Sequence, residues 1–124
     1  MKRLTSSALL LCMLPCAATA AGSSGVEHVV MCWLKTPGDA AQIEEVLRVS
    51  RELATIPGLR SLHAGTALQS ERPIVDDSFD VGVVMDFESP EAMDAYLVNP
   101  EHVRRVNETL RPLCGRVLVH DIRY

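Results

Sequence analysis

Two segments of this chain, Val29 to Leu34 (VVMCWL) and Val81 to Met85 (VGVVM), are apolar along nearly their whole length. Segments this short, rich in β-branched and aromatic residues, are predicted strands. A strand with one wet face alternates apolar and polar residues, because successive side chains point to opposite sides of the sheet. Strands without that alternation must be covered on both faces. Whatever the chain folds into has to supply two covers.

The segments between and around these strands supply one of them. Glu27 to Lys35 forms the first predicted strand, and Pro37-Gly38 breaks it. Asp39 can cap a helix in AAQIEEVLRVSRELATI, whose Ile43, Val46, Leu47, Leu53 and Ala54 recur at helical spacing. Pro57-Gly58 ends that helix, and Leu59 to Gly65 alternates as a short second strand. A polar stretch, about 69 to 78, reads as a loop before a third strand from Phe79 to Phe87. Ser89-Pro90-Glu91 combines a capping serine, proline at the first helical position and an acid in the first turn, so a helix begins there. It runs to about Val98. Pro100 restarts the chain into EHVRRVNETLR, Pro112 and Gly115 stop that piece, and Arg116 to Arg123 is the last strand. The order β-α-β-β-α-β predicts an α+β fold of ferredoxin-like type with an antiparallel sheet. Both helices then lie on one face of the sheet. The economical cover for the other face is a second copy, giving a homodimer with an α/β barrel between the two sheets.

The first twenty residues do not belong to this domain. Lys2 and Arg3 precede a mostly apolar run from Leu4 to Cys16, and Ala18-Thr19-Ala20 supplies small residues at −3 and −1. That pattern predicts a signal peptide over residues 1–20, cleaved near Ala20, and so a periplasmic or secreted protein. A flexible mature N-terminus over 21–26 and one domain over 27–124 follow. The full chain has 12 Lys and Arg against 16 Asp and Glu, a net charge of −4, and loss of Lys2 and Arg3 takes it to near −6. With no basic stripe, nucleic acid is disfavoured as a partner, as is a membrane surface once the signal is gone. Cys12 and Cys16 leave with the signal. Cys32 lies mid-strand and Cys114 precedes the last strand, so Cys114 is expected opposite Thr36 rather than Cys32, and the two thiols are expected to be free and buried.

The segments EHVVMCWLK, IPGL (Ile56 to Leu59), Gly65, FDVGVVMDFESPEAMDAY, NPEH and VLVHDIRY together resemble the Dabb family of stress-responsive dimeric α/β-barrel domains. The resemblance covers almost the whole mature chain and implies a stress-associated ferredoxin-like domain that pairs sheet to sheet. The family carries a tyrosine followed by His-Pro-x-His. Here Tyr96, Pro100 and His102 match, and Asn99 stands in place of the first histidine. His28 matches a histidine common in the family's first strand. In the plant polyketide-cyclase members the last histidine of the motif looks like a general base supported by the tyrosine. Those enzymes also have a histidine early in the third strand, where this chain has Phe79-Asp80-Val81.

The residues themselves allow two readings. Tyr96 shares the apolar face of its helix with Ala92 and Met93, and His102 sits beside Val103 and Val106, so both can point between helices and sheet. An imidazole transfers protons near neutral pH, and a phenol can donate to a developing enolate. His102 as base and Tyr96 as hydrogen-bond donor would make a cofactor-free enolisation or aldol-type enzyme. The other reading is a module that holds a small apolar ligand against His28, Tyr96, Asn99 and His102. A purely structural dimer is a third. His63 and His120 are not at ligand spacing with the other histidines, so no metal is expected, and no nucleotide-binding motif calls for a cofactor.

Overall fold

The computed structural model describes residues 24–124; the signal-peptide expectation for residues 1–20 lies outside the described residues. Four strands, β1 (Val26–Leu34), β2 (Leu59–Gly65), β3 (Val81–Phe87) and β4 (Cys114–Arg123), form one sheet in the order β2-β3-β1-β4. All neighbours are antiparallel. Helix α1 (Ala40–Glu52) joins β1 to β2, and α2 (Pro90–Leu97) and α3 (Pro100–Arg105) lead towards β4. This is the predicted ferredoxin-like α+β fold. Gly25, inside the stretch 21–26, already exchanges both backbone hydrogen bonds with Tyr124, at 3.0 and 3.1 Å, so the ladder starts ahead of Val26.

Local chemistry sets the boundaries. Asp39 caps α1 by accepting from the Gln42 N–H, and Ser89 caps α2 by accepting from the Ala92 N–H. Gly38 and Gly58 take φ of 73° and 111°, which the side chain of any other residue would resist, so each Pro-Gly pair turns the chain where it does. The third strand begins at Val81, two residues later than expected, because Asp80 is occupied elsewhere. Its carboxylate accepts from the Leu34 and Gly38 N–H groups, both at 2.8 Å, and staples the end of β1 to the following turn.

Alternation along β1 and β3 sorts the two faces. Val26, His28, Cys32 and Leu34, with Val81, Val83, Met85 and Phe87, are buried beneath the helices. Phe87 is fully buried and meets the Tyr96 ring edge-on, with centroids 5.1 Å apart. Glu27, Val29, Met31 and Trp33 point to the other side and are half-buried.

The cysteines are not free. Cys32 and Cys114 form a disulfide with Cα atoms 5.6 Å apart. The expectation of separate thiols failed on register. The last strand starts at Cys114 rather than Arg116, and Cys114 pairs with Leu34 while Arg116 pairs with Trp33. Gly115 is the extra residue between them, a bulge that shifts the register and brings Cys114 diagonally across from Cys32 on the helix-facing side.

Candidate functional site

Residues of the sheet, of α1 and of α3 with its continuation meet around one space. β1 presents His28, Val30 and Cys32 on its inner side. α1 presents Val46 and Ser50, and the turn that follows it adds Leu53 on the same side. The third contribution is α3 and its continuation. Beyond Arg105 the chain does not stay α-helical: Val106–Leu110 forms a π-helical segment before a last turn, Arg111–Leu113. Such widened turns occur often at functional sites. His102 on α3, with Val106 and Leu110 on the widened segment, lines a cavity of about 280 Å³ against the sheet. Its wall is almost wholly apolar. The exceptions are His28, Ser50, His102 and Arg111. Its exposed wall residues, Arg111, Val117 and Val119, mark its mouth at the β4 edge.

His102 has a defined tautomer. Its Nδ1 lies 3.0 Å from the Leu97 carbonyl oxygen. A carbonyl only accepts, so Nδ1 carries the proton and Nε2 keeps its lone pair. Burial pushes the imidazole pKa below its ordinary value; the bond to the Leu97 carbonyl opposes this, and the nearby His28 adds to it. The ring is therefore a neutral base at pH 7. His28 is only 7 % exposed and donates from Nδ1 to the Asp121 carboxylate at 2.6 Å, directly across the β1–β4 ladder. That bond leaves Nε2 as the ring nitrogen not committed to Asp121.

Of the four residues expected at a site, the structure brings two to the cavity. His28 and His102 line it. Tyr96 does not. Its ring stacks at a tilt against the His102 imidazole, with centroids 4.9 Å apart, and its hydroxyl donates a long 3.5 Å bond to the Leu53 carbonyl. With the hydroxyl so enclosed, burial raises the phenol pKa to about 12. Tyr96 is the wall behind the imidazole, not a donor facing a ligand. Asn99 caps α3 by accepting from the Glu101 N–H at 2.9 Å and does not reach the cavity. The proline-bounded turn thus positions His102 through its backbone. An ion network reinforces it: Arg105 bonds Glu101 at 2.7 Å and also Glu52 on α1. Arg104, and after it Arg105, hold the Glu101 carboxyl down at about 2.

Two residues escaped the sequence reading. Ser50 was legible as a polar residue four positions after Val46, inside the apolar stripe of α1. Asp121 was legible as a carboxylate sharing strand parity with Val117 and Val119, so facing inwards across from His28.

Fold and site together define a ferredoxin-like domain with an apolar cavity between helices and sheet, edged by two imidazoles. The chain belongs to Dabb, the stress responsive A/B barrel domain family, which matches residues 26–124. Solved structures resemble it over most of its length. A hydroxynitrile lyase from Passiflora edulis aligns with a TM-score of 0.70 and 20% identity, covering 82% of this chain and 94% of that one. A dimeric ferredoxin-like protein of unknown function from Thermobifida fusca YX aligns at 0.67 and 20%, covering 83% and 93%. A Dabb protein from Mesorhizobium loti MAFF303099 aligns at 0.65 and 22%, covering 80% and 95%. At these identities the likeness is one of fold. No curated protein matches the chain.

Proposed function

We propose that this Dabb protein is an exported homodimer that binds a small, mostly apolar molecule between its helices and its sheet. The cavity carries the reading: about 280 Å³ with an almost wholly apolar wall. An apolar cavity of about 150 Å³ accepts a benzene, so this one suits a body of roughly a dozen heavy atoms. The dimer is supported by the half-buried apolar centre of the open sheet face and by dimeric fold neighbours from Thermobifida fusca and elsewhere. Export rests on the N-terminal sequence pattern, and the Cys32–Cys114 disulfide is in keeping with an oxidising compartment. The test is fluorescence titration with 2-isopropenylnaphthalene. Saturable binding is expected, and Val106→Trp, which fills the cavity from the helix side, should abolish it while leaving the circular dichroism spectrum intact. Absence of saturable binding by the unaltered protein defeats the reading.

One observation favours a second reading, catalysis. His102 Nε2 is an unprotonated base at neutral pH, held in place by Leu97 and backed by Tyr96. A hydroxynitrile lyase shares the fold, so the framework houses chemistry elsewhere. In this reading His102 removes a proton next to a carbonyl, and Tyr96 acts by orienting the imidazole. Deuterium from solvent would then enter the methyl group of 2-acetylnaphthalene in the presence of protein, and His102→Ala would stop it. Exchange no faster than in buffer leaves binding as the function.

A further inference from the structure

Ser50 occupies an unusual position. It is 1 % exposed, it lines the cavity, and its Oγ has no hydrogen-bond partner. A serine inside a helix commonly returns its hydroxyl to the carbonyl four residues back; this one does not. A buried hydroxyl without a partner destabilises the fold, and native proteins keep few of them. The neighbouring wall residues Val46, Leu53 and Val81 have apolar side chains and offer nothing to bond. The cavity that Ser50 lines is the nearest space from which a partner can come.

The chemistry of the wall says what kind of partner. His102 Nε2 presents a lone pair, because Nδ1–H is committed to Leu97. His28, when neutral, does the same, because its Nδ1–H is committed to Asp121. With both rings neutral, the cavity meets an acceptor at each imidazole. Away from the exposed Arg111 at the mouth, the one side chain that can donate while both rings are neutral is Ser50. A ligand oxygen that only accepts, such as a ketone carbonyl, finds no partner at either imidazole and finds one at Ser50.

We propose that Ser50 Oγ–H is the hydrogen-bond donor that selects the ligand, and that the ligand is an apolar molecule bearing an oxygen acceptor. This rests on the ligand-binding reading above and narrows it from any small apolar body to an oxygenated one. The hydroxyl, unpaired in the empty protein, is satisfied on binding, so its desolvation is already complete when the ligand arrives.

The test uses two probes of the same shape: 2-acetylnaphthalene, which carries the carbonyl oxygen, and 2-isopropenylnaphthalene, which carries a methylene in its place. Kd values are measured at pH 8 for the unaltered protein and for Ser50→Ala. The unaltered protein should prefer the ketone by roughly tenfold, the ordinary worth of one hydrogen bond to a buried donor. Ser50→Ala should erase that preference by weakening the ketone alone, and its Tm should equal or exceed that of the unaltered protein. A ketone preference that survives Ser50→Ala, or is absent from the start, overturns the proposal while hydrocarbon binding leaves the cavity reading standing. A lowered Tm also overturns it, since the hydroxyl would then be serving the fold. If neither probe binds, the cavity reading falls and this proposal with it.

Discussion

The two faces of the sheet are built from the same strands but are finished differently. On the helix side, one residue in two along β1 and β3 is sealed by the chain's own helices, which leave the cavity between them and the sheet. On the open side the rows run across the sheet. His63, Val84, Val29 and His120 form one, and Gly65, Gly82, Met31 and Leu118 the next. Their apolar centre is half-buried, with histidines and charged residues at the margins. The helix side is a core with its partners present. The open side has the composition of an interface core, an apolar centre within a polar rim. The difference explains why β1 and β3 lack alternation: apolar residues of one face pack under the helices, and those of the other form the half-buried centre of the open face.

The sharpest way to break the comparison is to charge the open face. Val29→Asp sits at the centre of that face, opposite Val84 and His120. In a two-fold dimer it would bury an unpaired carboxylate from each copy, at a cost of about 3 kcal/mol apiece, or about 6 kcal/mol of association free energy. Sedimentation equilibrium should report a monomer at micromolar concentration with the helical circular dichroism signal retained. A variant that stays dimeric shows that the copies meet through another surface.

A smaller effect separates the faces at the β4 edge. The disulfide spans 82 residues and ties that edge to the central strand on the helix side alone. Cross-links over loops of this size stabilise by about 4 kcal/mol in the chain-entropy view. Reduction, or Cys114→Ala, should lower the unfolding free energy by about that much in urea titrations. Because the cysteines also wall the cavity, ligand affinity should fall with it, whereas the dimer surface on the other face should be less disturbed. Equal stability with and without reductant would mean that the β1–β4 ladder holds the edge unaided.

Much of this was legible beforehand. Strand and helix order, both N-caps and both Pro-Gly turns follow from local patterns, because local rules govern them. What escaped depends on register between distant segments. One bulge at Gly115 decided the disulfide, and the pairing of His28 with Asp121 depends on the same ladder. The site was half legible for a related reason. Pattern shows that Tyr96 and His102 face inwards, but not that the tyrosine's hydroxyl turns to Leu53 while the imidazole alone meets the cavity. Nor does it show the π-helical segment, since Val106–Leu110 reads as ordinary helix.

The smallest expected effect concerns pH, and it belongs to the helix face. The folded pKa of His102 is depressed, chiefly by burial, below the value of about 6.5 it regains on unfolding. The unfolded chain therefore binds more protons than the folded one between those two values. The histidine's contribution to stability is fully present above pH 6.5 and declines as pH falls towards the folded pKa. His102→Gln removes the titrating group, so the drop in Tm between pH 7 and pH 5 should be shallower in the variant than in the parent. If catalysis is the function, its rate should rise with pH along the same depressed pKa, below the range of a free imidazole, because Nε2 must be free of its proton to act. Val29→Asp, on the opposite face, should leave this pH response unchanged, apart from the titration of its own new carboxyl. Parallel Tm profiles for the parent and His102→Gln would instead mean that the imidazole stays hydrated when the protein folds, and that the cavity wall is wetter at α3 than its apolar lining implies.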